Sequence, residues 1–157
     1  MSSIIITTNL GNITVELNEE KAPITTANFL AYVADGFFDN LVFHRVIPGF
    51  MIQGGGMSAD MQQKKGKDPI KLEADTGLKN VRGSIAMART NDPNSASSQF
   101  FINLKDNAFL DKQYAVFGQV TEGMDVVDVI ATQKTGPKSG HQDVPVDPII
   151  IEKVTSV

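Results

Sequence analysis

The sequence predicts a mainly β domain: a closed eight-stranded antiparallel β-barrel capped by two α-helices. Three observations lead there. Eight short runs of strand-like composition recur along 157 residues, each bounded by turn-forming residues. Only two segments carry the three-to-four-residue apolar spacing of a helix. Strands do not alternate with helices as a parallel βαβ sheet requires, so antiparallel pairing into a barrel without free edges is the expected solution.

The runs at 4–8 and 13–17 are joined by Asn9-Leu10-Gly11-Asn12, where Asn and Gly supply the positive φ angles of a tight turn. Ile13, Val15 and Leu17 alternate with Thr14, Glu16 and Asn18, the signature of a strand with one face in water. Pro23 suits the first position of a helix, Thr25 and Thr26 its first turn, and Gly36 the stop after Asp35. Phe29, Leu30, Val33 and Ala34 are its expected apolar stripe.

Further strands are expected at 41–47, 50–53, 84–88, 99–104, 115–120 and 148–154, divided by polar stretches such as Thr90-Asn91-Asp92-Pro93-Asn94-Ser95. A second helix fits 123–132, where Met124, Val127 and Ile130 or Ala131 recur at helical spacing. With no internal repeat or linker, residues 1–157 read as one domain. Surface scaling for 17.0 kDa gives roughly 7,700 Å² folded, about 69% buried relative to the open chain, enough for a full core.

Composition excludes whole classes of chemistry. With no cysteine and two histidines there is no disulfide, thiolate nucleophile or iron–sulfur cluster, and a structural zinc site is not expected. A net charge of −4 argues against nucleic acid as the main partner. Lys64-Lys65-Gly66-Lys67 reads as a solvated loop. The N-terminus lacks a basic region followed by a long apolar run, so neither a secretory signal nor a membrane span is expected.

Nucleophilic templates also fail. No G-x-S-x-G occurs, and His141 lies in the polar loop Ser139-Gly140-His141-Gln142-Asp143. His44, alternating with Val42 and Val46, reads as a hydrogen-bonded structural histidine, because a catalytic base needs a partner to orient it. Gly54-Gly55-Gly56 lacks the Lys-Ser/Thr of a phosphate loop and reads as a sharp bend.

Two runs resist a purely structural explanation. In the first, 42–53, Arg45 is expected on one strand face with Phe43 and Ile47; a guanidinium among apolar groups must reach a solvated edge or find partners. Met51 and Gln53 share a face of the same run. In the second, 98–104, Phe100, Ile102 and Leu104 form a core face, while Gln99, Phe101 and Asn103 offer an aromatic between two amides. That face suits either a shallow peptide site or an ordinary half-exposed strand.

Phe43-His44-Arg45-Val46-Ile47-Pro48-Gly49-Phe50-Met51-Ile52-Gln53-Gly54-Gly55, together with the stretches GSIAMART and SQFFINL within 83–104, closely resembles the cyclophilin family of peptidyl-prolyl cis–trans isomerases. The resemblance runs through nearly the whole chain. It implies a side-chain-filled barrel with the peptide groove on its outer surface. By that resemblance Arg45 would be catalytic with Gln53 beside it. Phe50, Met51, Phe101 and Leu110 would line a proline pocket, and Ala88, Arg89 and Gln99 would meet neighbouring peptide residues.

Three positions depart from the best-known eukaryotic form: Phe109 replaces a usual tryptophan, Tyr114 a histidine and Arg89 an asparagine. Phe109 keeps an apolar wall without an indole N–H, so weakened affinity for cyclosporin-type ligands is expected. These departures resemble the bacterial cytoplasmic branch. A cytoplasmic location is expected from the N-terminus as well, and a monomer acting on proline-containing, unfolded or flexible polypeptides is expected. Amide rotation breaks no bond, so no cofactor or metal is expected. The alternative is a module that grips proline segments with little turnover; Arg45, Gln53 and Phe101 together favour the enzyme.

Overall fold

The structure, a computed structural model, describes residues 2–73 and 75–157; Met1, where the expected domain begins, lies outside them. Alternation decides the first ladder. Strand β1 (Ser2–Thr8) pairs antiparallel with β2 (Gly11–Leu17) around Asn9-Leu10, burying Ile4, Ile6, Ile13, Val15 and Leu17 while Glu16 faces solvent. The Thr8 hydroxyl closes the turn by donating to the Gly11 carbonyl at 2.7 Å.

The expected run 41–47 is divided into β3 (Leu41–Val42) and β4 (Arg45–Ile47), and the following run into β5 (Met51–Gly54) and β6 (Met57–Ser58). Next come β7 (Ser84–Met87), β8 (Phe100–Asn103) and β9 (Val116–Glu122), then β10 (Thr135–Lys138), β11 (His141–Pro145) and β12 (Ile150–Ser156). Hydrogen bonding orders the large sheet β4-β5-β8-β7-β9-β2-β1-β12-β3-β6. Its two ends, β4-β5 and β3-β6, are halves of one hairpin bent at Phe43-His44 and at Gly55-Gly56. The sheet therefore closes on itself as a ring of eight strand segments. At Gly55, φ is +93° and an added Cβ would meet the Phe100 ring at 2.8 Å, so the bend requires glycine there.

That bend corrects one expectation. Phe43 does not share a face with Arg45, because the two residues fall on opposite sides of the break in the strand. Phe43 is fully buried in the barrel and Arg45 is exposed.

Helix α1 (Pro23–Ala34) has proline at its start and no side-chain cap from its own N-terminus. The Glu73 carboxylate serves instead, accepting from the amides of Ile24 at 3.2 Å and Thr25 at 2.6 Å. Its inward face is Thr25, Thr26, Phe29, Tyr32 and Val33. Ala34, expected in the stripe, is exposed, and Tyr32 takes the inward place because its hydroxyl accepts the Lys67 amide at 2.7 Å. Helix α2 (Met124–Ala131) begins at the left-handed Gly123 and buries Val127 and Ile130.

Both helices share one core with the barrel strands, and Phe29 sits at its centre, 5.1–5.5 Å from the rings of Phe38, Phe117 and Phe100. Accessible surface totals 7562 Å², close to the value scaled from mass. No helix among the described residues is long and apolar enough to cross a membrane.

The hairpin β10-β11 was not expected, being largely polar. Its signal is Ser139-Gly140, which adopts φ values of +51° and +80° as a two-residue primed turn demands. Val144 and Pro145 of β11 help enclose His44. His44 is buried, as a structural histidine should be, but its Nδ1 has no hydrogen-bond partner. Desolvation, then the charges of His141 and Arg45, lowers its pKa to about 4.

Candidate active site

Strand register builds the site. Arg45 pairs with Gln53, Gln53 with Phe101, and Phe101 with Ala86, making one row across β4, β5, β8 and β7. The next row, Val46, Ile52, Ile102 and Ile85, points into the barrel and is wholly buried. Because side chains alternate across a strand, the first row must lie on the outer surface. There Met51, Ala86, Phe101, Leu110 and Val116 form a second, smaller apolar cluster separate from the barrel interior.

Over this cluster lies a cavity of about 110 Å³. Phe50, Met51, Phe101 and Leu110 give it an apolar lining, Arg45 and Gln53 a polar one, and Ala88, Arg89 and Tyr114 complete it. Phe101 is only 4% exposed, so it is a floor rather than an ordinary surface phenylalanine. Among the described residues the Arg45 side chain has no hydrogen-bond or ion-pair partner, leaving its N–H groups available above an apolar floor.

Around this cavity the side chains are braced. Tyr114 meets Phe101 edge-to-face at 5.5 Å, and the Arg89 guanidinium lies 4.8 Å over the Tyr114 ring. Arg89 is further fixed by donating to the carbonyls of Gln113 at 2.8 Å and Thr90 at 2.9 Å. Gln53 donates to the Gln99 side-chain carbonyl at 2.9 Å. Gln99 lies so close over Gly56 that a Cβ there would collide with it. Phe109 does not line the cavity; it is 69% exposed and stacks on Phe50, 5.9 Å between centroids, as an outer rim.

The family model for cyclophilin type peptidyl-prolyl cis-trans isomerase/CLD matches residues 3–156. The chain belongs to this family. It is 58% identical to a peptidyl-prolyl cis-trans isomerase of Streptomyces antibioticus, with 97% of this chain and 96% of that protein aligned. Against peptidyl-prolyl cis-trans isomerase B of Escherichia coli it is 53% identical, over 94% and 95% of the two chains. A cyclophilin from Cryptosporidium parvum, solved in the presence of the dipeptide Ala-Pro, superposes with a TM-score of 0.81 at 31% identity, covering 98% of this chain and 97% of that one. The protein is thus a peptidyl-prolyl cis–trans isomerase.

What holds the isomerase's cavity in shape is not legible in the sequence. Asn103, expected on the peptide-facing side with Phe101, is completely buried. Its amide donates to the Asn80 carbonyl oxygen at 3.0 Å and to the Ser84 hydroxyl at 2.9 Å, and its own carbonyl accepts from Asn107 at 2.9 Å. Asn107 also donates to the backbone carbonyl of Phe50 at 3.1 Å. This network ties the segments around Asn80 and Asn107 to the strand carrying the cavity floor. Its signal in the sequence is slight, three dispersed asparagines with no shared spacing.

Proposed function

We propose that Arg45 accelerates rotation about the X–Pro bond by donating a hydrogen bond to the prolyl nitrogen, or to the adjacent carbonyl, as the amide twists. The planar amide resists rotation with a barrier of roughly 18–20 kcal/mol, though trans is favoured over cis by only about 0.5–1 kcal/mol. In the twisted state resonance is lost and the nitrogen becomes a pyramidal acceptor. A guanidinium fixed beside it interacts more strongly with that form than with either planar one, which is the condition for catalysis.

The observation that carries this reading is Arg45, without a hydrogen-bond or ion-pair partner among the described residues, in register with Gln53 and Phe101 above an apolar cavity. In it Phe50, Met51, Phe101 and Leu110 hold the proline ring, Gln53 steadies the neighbouring peptide group, and Ala88, Arg89, Gln99 and Tyr114 meet the flanking residues. Phe109 shields the rim from outside. The substrates are flexible polypeptides containing proline, and one isomerase domain running through residues 1–157 handles them as a monomer in this reading. The likeness to the bacterial cytoplasmic branch at Arg89, Phe109 and Tyr114 supports a cytoplasmic setting.

The test is NMR exchange spectroscopy on an X–Pro peptide with wild type and Arg45→Ala. The variant should remain folded and lose about 10²–10³ in rate, the usual cost of one transition-state donor. A folded variant with an unchanged rate overturns the assignment.

A further inference from the structure

The cavity under Arg45 is the first of three that share walls. It shares Gln53, Ala88 and Arg89 with a second of about 150 Å³, which in turn shares Gln63 and Ser97 with a third of about 440 Å³ beside Lys65 and Lys67. The three cavities therefore adjoin in series, from the one under Arg45 past Arg89 to the loop carrying the lysines.

Charge along this path runs against the charge of the protein. The chain carries −4 overall, yet the first two cavities are lined by Arg45 and Arg89 and by no carboxylate. The third adds Lys65 and Lys67 against Asp68 alone. Lys67 is partly neutralised by Asp35 at 2.7 Å, whereas among the described residues Arg89 donates only to the carbonyl oxygens of Gln113 and Thr90, which carry no countercharge. Arg89 is also held in place by Tyr114 beneath it, so little side-chain freedom would be lost on meeting an anion. A positively lined concave path concentrates its field along its length.

We infer that this path is an extended docking groove selecting substrates whose polypeptide carries carboxylate side chains on one flank of the isomerised proline, with Arg89 the residue that reads the nearest of them. This rests on the assignment of the Arg45 cavity to proline. The lysine loop, which by itself looks like a solvated turn, becomes the far end of the substrate path.

The test uses peptides with one proline and a single Glu or Lys at each of three positions before and three after it. Isomerisation is followed by NMR exchange at low salt and at 0.5 M NaCl. Glu should lower KM about tenfold relative to Lys on one flank only, with little change in kcat. The preference should fall below twofold in high salt, where the screening length is roughly 4 Å. Arg89→Gln should abolish the preference nearest the proline, and Lys65→Gln should weaken it at the farthest position. Equal rates for Glu and Lys, or equal preference on both flanks, overturn the groove. Arg45→Ala distinguishes the two assignments: unchanged isomerisation of every peptide refutes the proline cavity itself, whereas lost isomerisation without charge discrimination in wild type refutes only the groove.

Discussion

Asn107 donates its side-chain amide to the backbone carbonyl of Phe50 across 57 residues of sequence, at 3.1 Å. The same carbonyl accepts the Leu104 amide at 2.9 Å, so the residue that begins the cavity wall is held from two directions. Asn107 is in turn bonded to Asn103, which makes the buried amides a brace between the sheet and the rim.

Truncating that brace should cost stability first. Asn103→Ala leaves the Asn80 carbonyl and the Asn107 amide without their buried partner, and unsatisfied groups cost about 1–3 kcal/mol each. Urea unfolding should show a loss of about 2–6 kcal/mol. A loss below 1 kcal/mol would mean water or rearranged amides replace these bonds freely.

Gly56→Ala should act on substrate binding rather than on the barrel. The new methyl displaces Gln99 and with it the acceptor of the Gln53 amide. Losing one contact of Gln99 to the substrate corresponds to about 0.5–1.5 kcal/mol, so KM should rise roughly two- to tenfold, while the lost bond between Gln53 and Gln99 lowers stability by at most a similar amount. A KM equal to that of wild type would sever Gln99 from the role given to it.

His44 sets an acid limit on stability. Its pKa falls from 6.5 in the open chain to about 4 in the folded protein, chiefly through burial. Below pH 6.5 the unfolded chain takes up a proton that the folded one refuses, so stability is full above 6.5 and is lost as pH falls towards 4. The gap corresponds to about 3 kcal/mol. Urea titrations at pH 7 and pH 4 should show this loss in wild type and a smaller one in His44→Gln. The Asp128 carboxylate, held below its ordinary range by its hydrogen bonds to Arg82, acts in a separate and more acidic window.

Phe109→Trp should tighten binding of a cyclosporin-type ligand. The exposed ring already stacks on Phe50, and an indole adds one N–H donor at the rim. A gain of about five- to tenfold in Kd by calorimetry fits one net hydrogen bond. No gain would show that an indole replacing this ring directs its N–H away from the ligand.

Local patterns made much of the fold legible. Period-2 alternation at 13–17 and Pro23 and Gly36 around the first helix depend on residues adjacent in sequence, and the structure contains each; the first turn is present too, but it is only Asn9-Leu10 and of the expected loop only Gly11 has a positive φ. The family motifs around Arg45 and Phe101 likewise marked the residues that meet at the cavity. The polar hairpin β10-β11 escaped because its strands lack an apolar face to announce them.

By itself, then, the sequence determined the strand faces, the two helices, the absence of thiol and disulfide chemistry and the segments that carry the site. Only the tertiary structure decided that the bend at Phe43-His44 parts Phe43 from Arg45, that Glu73 caps the first helix and that the segments around Asn80 and Asn107 cover Asn103 and make it a brace. It also decided that Gln63 and Ser97 line both the cavity beside Arg89 and the one beside the lysine loop. Each of these depends on which distant segments a closed sheet brings together. Periodicity records which face a residue occupies, but not what lies opposite it.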